Sequence, residues 1–259
     1  MTGDPKRTVR LDFGNLPLVE ATVRVSFESP SQLTFETVNR VHEDLRDEFP
    51  QVSEPKQIEV APGISGSTAA FGPGQISGVV YTGNAKGLII TIQTQVVVAR
   101  WLKQVAKDDL EYPRFPSLRE ALWRAVDALK SERTGESPPI VVVNMSYVNF
   151  VRVAESDNVL TSYLSDLAQV EAAANARRIH KVEVSWQESE SVDLRFNLER
   201  VTAQIGDESV EGYRLTTAAG MHLGDAQKAK EGLDDIHDRL QTFFLSLISD
   251  RAKTEWQLG

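Results

Sequence analysis

The sequence predicts an α+β protein: two β-α-β-β-β-α units, residues 11–134 and 138–256, forming antiparallel sheet with helices packed on one face. Three observations predict it. A β-like run, an amphipathic helix, a group of β-like runs and a closing helix succeed one another from residue 18 to 130, and the same order returns from 140 to 250. The strand-like runs either alternate apolar and polar residues or are apolar throughout. Between the halves, SERTGESPP at 131–139 is polar and rich in turn formers.

In the first half, residues 1–10 read as a loose tail. Leu18 to Phe27 alternates Val19, Ala21, Val23, Val25 and Phe27 with Glu20, Thr22, Arg24 and Ser26, the mark of a half-buried strand. A helix follows with Phe35, Val38, His42, Leu45 and Phe49 at steps of three and four, stopped by Pro50. The glycine- and proline-rich stretch 61–75 is a loop. Runs at Ile76–Gly83, Leu88–Gln93 and Gln95–Trp101 are strands, with Gly83-Asn84 and Gly87 suited to a hairpin. LIITI and QVVVA are apolar at consecutive positions, which predicts burial on both faces. Ser117-Leu118-Arg119-Glu120 has the form of a capping box opening a helix with core stripe Leu118, Ala121, Leu122, Ala125 and Leu129.

In the second half, Ile140–Val153 is a long strand and Asn158–Leu167 a short helix. Strands follow near Ile179–Glu188, Val192–Ile205 and Val210–His222, with a turn at Gly206-Asp207. The last helix, from about Asp225, carries Leu233, Ile236, Leu240, Phe243 and Leu247 at helical spacing. Such units joined edge to edge would make one curved sheet with helices outside. That order is similar to the saddle of TATA-binding protein and to helix-grip folds, a likeness of topology that carries no function.

Composition narrows the function classes. The 259 residues are 41% hydrophobic and 25% charged, with no cysteine, which removes disulfides, Cys-ligated metals and thiol nucleophiles. No run approaches the roughly 18 apolar residues of a membrane span, and no leader-like segment opens the chain. A cytoplasmic protein is expected. The net charge of −9 opposes broad nucleic-acid binding.

No motif reaches a catalytic signature, and no cofactor is expected. His42 falls within an apolar stripe; His180 and His222 fall on strands; His237, flanked by Asp234, Asp235 and Asp238, is expected to be exposed and easily protonated. None has metal-ligand spacing. The loop GISGSTAAFGPG has neither the lysine nor the pattern of a phosphate cradle. Two surfaces stand out. The polar faces of the second unit's strands carry Glu183, Gln187, Asp193, Arg195, Asn197, Glu199 and Arg214, and would form the concave surface if helices cover the other side. The apolar LIITIQTQVVVA region is expected to lie in a subunit or partner interface.

The segments NLPLVEATVRVSF, DEFP, YPRF, SYVN and LDDIHDRLQTFF, in this order, resemble a sporadically distributed, functionally uncharacterised bacterial family of about this length. In that family the mid-chain strand reads like GLRYIN; here Tyr147 and Asn149 match, while Ser146 stands where the arginine is expected. The resemblance implies Glu20, Tyr147, Asn149 and His237 as positions to test, beside Arg195 and Arg214 on the polar face. Its patchy occurrence suits accessory or phage-defence genes. The leading expectation is a non-enzymatic binding or assembly protein that associates with itself or with a protein partner. The alternative is a small-ligand receptor or enzyme with a cavity between sheet and final helix, using Tyr147, Asn149 and Glu20.

Overall fold

Alternation decides the first element. Leu18–Phe27 is β1, and Ala21, Val23, Val25 and Phe27 are fully buried along one face. The computed structural model describes residues 17–30, 33–55, 76–83, 87–103, 112–130, 138–152, 164, 181–205, 208–224 and 228–256. After β1 come α1 (Phe35–Leu45), β2 (Gln51–Ser53), β3 (Gly78–Thr82), β4 (Leu88–Gln93), β5 (Val96–Leu102) and α2 (Arg114–Ala128). The second half contributes β6 (Ile140–Arg152), β7 (Lys181–Gln187), β8 (Val192–Ile205), β9 (Glu208–His222), α3 (Ala229–Leu247) and α4 (Asp250–Glu255).

The strands form one nine-stranded antiparallel sheet in the order β2-β3-β4-β5-β1-β6-β9-β8-β7. The two halves of the chain therefore meet where β1 pairs with β6, placing Thr22 opposite Ser146 and Arg24 opposite Asn144. The described helices lie on the face that carries Ala21, Val23 and Val25 of β1, Ile90 and Ile92 of β4, Met145 of β6 and Phe196 of β8. Tyr81 of β3 donates to the Val38 carbonyl of α1 at 3.2 Å, and its hydroxyl pKa is pushed up to about 12 by burial. Gly232 of α3 lies against Val143 and Met221, where an added Cβ would come within 3.2 Å of the Met221 sulfur. Arg40 ties α1 to the end of α2 by donating to the Ala128 and Lys130 carbonyls, and Arg119 joins α2 to α3 through Asp234 at 2.7 Å. A cation at carbonyls freed by a helix C-terminus is favourably placed.

Several expectations are corrected. α2 begins at Arg114, without a side-chain cap, so Ser117 lies inside the helix and the expected capping box is not used. Pro116 needs no backbone N–H in a first helical turn, which allows the earlier start and carries Phe115 onto the body of the protein. α1 is capped by Thr34, which accepts from the Thr37 amide, and ends at Leu45 before reaching Pro50. Phe35 opens its stripe yet is 67% exposed, whereas Val41, Leu45 and Phe49 are buried. Strand β2, exposed at all three residues, and α4, which buries Ala252 ahead of a Trp256 stacked on Phe244, had no apolar period to reveal them. The tail at 1–10, the loop at 61–75, the turn at Gly206-Asp207 and His180 lie outside the described residues, as does the Asn158–Leu167 helix except for Leu164, which bridges to Ile248.

The apolar runs of β4 and β5 are also resolved. Ile90, Ile92, Val97 and Ala99 face the helices, and Val96 and Val98 on the opposite face are equally buried within the single chain. Most of the run that was expected to lie in a subunit or partner interface is buried within the single chain, with Leu88 and Ile89 half-buried. Burial on both faces explains its unbroken apolarity.

Candidate functional site

Even-numbered positions of β5, β1, β6 and β9 and odd-numbered positions of β8 point away from the described helices, and there the sheet holds a hollow of about 460 Å³. Register builds it row by row. One row runs Arg100 (β5), Thr22 (β1), Ser146 (β6), Ala218 (β9) and Arg195 (β8). The next runs Arg24, Asn144, Gly220 and Asp193 across β1, β6, β9 and β8. Small residues thus occupy the middle two strands and long charged ones stand on either side. The small side chains make the floor, and the charged ones make the walls.

The floor is shaped by a close approach. A Cβ built on Gly220 would lie 2.5 Å from Asn144 Nδ2, so the Asn144 amide lies over the glycine. Asn144 Oδ1 is buried and finds no hydrogen-bond partner among the described residues, an acceptor that an occupant could satisfy. On the β1 side, Glu20 accepts from Thr22 Oγ1 at 3.0 Å and pairs with Arg100 Nε at 3.2 Å. On the β8 side, neither Asp193 nor Arg195 makes an ion pair among the described residues. His222 and Val142 close one end. Ser146, Asp193 and His222 make no hydrogen bond to one another, so the linked nucleophile, base and orienting group of hydrolytic catalysis are not assembled.

The structure separates the residues singled out from sequence. Glu20 and Arg195 line the hollow. Arg214 is on the same face but outside it, paired with Glu199. Tyr147 and Asn149 are buried on the helix side, so they cannot act together with Glu20, and the expected cavity joining the three is corrected. Alternation is the reason: Glu20 is paired with Val148, and Tyr147 and Asn149, the residues on either side of Val148, face the other way. The Tyr147 and Tyr112 rings meet edge-on at 6.3 Å between centroids, and burial raises both hydroxyls.

His237 is corrected as well. Its ring stacks on Phe115 at 3.9 Å between centroids, nearly parallel, and its side chain is only 14% exposed. Nδ1 donates toward Asp238 Oδ1 at 3.3 Å, while Nε2 accepts from Gln241 Nε2 at 2.9 Å. Burial lowers its pKa against the opposing pull of Asp238 and Asp234. A histidine with a depressed folded pKa gives stability that is full above its unfolded value of 6.5 and is lost as pH falls through the folded value. An NMR titration of the His237 ring is expected to give a midpoint below 6.5; a higher midpoint would mean that the aspartates outweigh desolvation.

Arg24, Arg100, Asn144, Ser146, Gly220 and His222 were missed as site residues. Their signal was a polar or tiny residue inside otherwise apolar central strands, as in VVVNMSYVN and QVVVARW. Among the described residues no group of three or more His, Asp or Glu could hold a metal ion, and no helix is long and apolar enough to cross a membrane. No family model and no curated protein matches the chain.

Proposed function

We propose that this protein is a binding protein whose recognition centre is the hollow on the sheet face turned away from the described helices, and that its occupant is a small polar molecule. The observation that carries this reading is the hollow itself: its volume falls within the about 300–1,000 Å³ common for ligand sites, with a floor of Ser146, Ala218 and Gly220 between charged walls. A small ligand is favoured over self-association because the apolar strands that suggested an interface are mostly buried within the chain.

Each half opens with a strand, β1 or β6, that pairs with the last strand of its own meander, β5 or β9, and the two opening strands pair with each other. This order supports a duplicated module related by a pseudo-twofold between β1 and β6, similar to the TATA-binding-protein saddle. The hollow then lies at the seam of the two copies and takes one wall from each.

Native mass spectrometry after incubation with a polar metabolite extract tests the reading. Adducts of small mass are expected on the full-length protein and are expected to weaken by about tenfold or more in Gly220→Val, equivalent to about 1.4 kcal/mol. The new side chain meets the tip of Asn144 rather than backbone, so the fold is expected to survive. Absence of any adduct, or adducts of equal strength in the variant, would overturn the assignment.

A further inference from the structure

We propose that the occupant belongs to the amino-acid class: a small zwitterion whose carboxylate is held by Arg195 and whose ammonium faces Asp193. This rests on the hollow being a ligand site, and it deepens that reading by naming the chemistry of the head group.

The lining carries Arg24, Arg100 and Arg195 against Glu20 and Asp193, an excess of one positive charge in a chain of net −9. Every formally cationic residue of the lining is arginine, whose planar fork matches a carboxylate in two parallel hydrogen bonds. Purely anionic ligands would meet repulsion from both carboxylates, and purely cationic ones from three guanidiniums. A molecule carrying both signs avoids each penalty.

Placement selects which pair reads the head group. Arg100 is committed to Glu20 at 3.2 Å. Asp193 and Arg195 stand two positions apart on β8, on the same face and roughly 7 Å apart along the strand; neither makes an ion pair within 4 Å among the described residues, and the one carboxylate that feels Arg195 from the neighbouring strand is the exposed Glu183 of β7. Opposite charges held side by side yet unpaired leave one site for a carboxylate and one for an ammonium. The remainder of the molecule would extend over Ala218 and Gly220 toward β1, three strand spacings or roughly 14 Å away. Asn144 Oδ1, buried and lacking a partner among the described residues, stands on that path to accept a donor.

Titration of the full-length protein, followed by amide NMR shifts and calorimetry, tests the inference with glycine, L-leucine, L-glutamate and L-arginine as zwitterions, succinate and inorganic phosphate as anions, and putrescine as cation. At least one amino acid is expected to bind and to shift the amides of Asp193, Arg195 and Gly220. Arg195→Gln and Asp193→Asn are each expected to weaken that binding about tenfold or more through loss of a charge-assisted contact, with thermal midpoints unchanged because both side chains stand in the hollow rather than in the core. Binding of succinate, phosphate or putrescine with every amino acid silent would overturn the zwitterion while leaving the hollow as a ligand site. Silence of all seven probes would overturn it too, and metabolite adducts sensitive to Gly220→Val would then confine the failure to the head group. Amino-acid binding unaffected by both β8 substitutions would overturn the assignment to Arg195 and Asp193.

Discussion

Trp101→Ala is expected to remove about 3–5 kcal/mol of unfolding free energy, the usual cost of deleting a large buried aromatic. That is a large share of the about 5–15 kcal/mol that holds a typical protein folded. Trp101 is 1% exposed on the helix side of β5, flanked in register by Leu88 and Ala21, with the Tyr112 ring edge-on at 5.2 Å. Its nearest neighbour across β1 is an alanine, which has no side chain to fall into the void. Trp186 is the internal control. It lies on the outermost strand β7, is 38% exposed, and touches the Phe243 ring edge-on at 5.0 Å. Trp186→Ala is expected to cost only about 0.5–1.5 kcal/mol, on the scale of one aromatic pair. Urea unfolding followed by far-UV circular dichroism, which does not depend on tryptophan emission, separates the two; equal losses would contradict the core placed here.

Gly87→Ala is the second large effect. Gly87 has φ of +64°, and a Cβ there would stand 2.4 Å from the Leu102 carbonyl oxygen, a backbone atom that cannot swing aside. The Gly87 carbonyl also accepts from the Leu102 amide at 3.0 Å, so relief of the clash would break the link between the start of β4 and the end of β5. Left-handed backbone alone costs a substituted residue about 1–3 kcal/mol, before the collision is added. At about 2–4 °C per kcal/mol for a chain of this size, the melting temperature is expected to fall by about 5 °C or more. Gly224→Ala, where nothing lies within 4 Å, is expected to leave it nearly unchanged. Similar midpoints for the two variants would mean that the tight approach at Gly87 does not exist.

Strand positions were legible because period two is a local property. Leu18–Phe27, Leu88–Gln93 and Val192–Ile205 have the same bounds in sequence and structure. Elements without apolar period were not legible, and β2 is the clearest, three exposed residues held by backbone pairing to β3. The candidate site was half legible. Arg195 was singled out as a polar residue on an alternating strand and Glu20 by the family resemblance, but Tyr147 was joined to Glu20 although the sheet separates them. His237 failed for a related reason: three nearby aspartates in sequence predicted an exposed cation, whereas Phe115, more than a hundred positions away, covers its ring.

Local chemistry by itself determined that this chain is α+β, where most of its strands and helices run, and which residues each strand turns to one face or the other, because side-chain periodicity needs only neighbours. Tertiary structure alone decided that β1 and β6 lie side by side, and hence that Ser146 and Gly220 become a floor between Arg24 and Asp193. Register between distant strands depends on which faces are buried together, and no stretch of sequence contains that information for its partner.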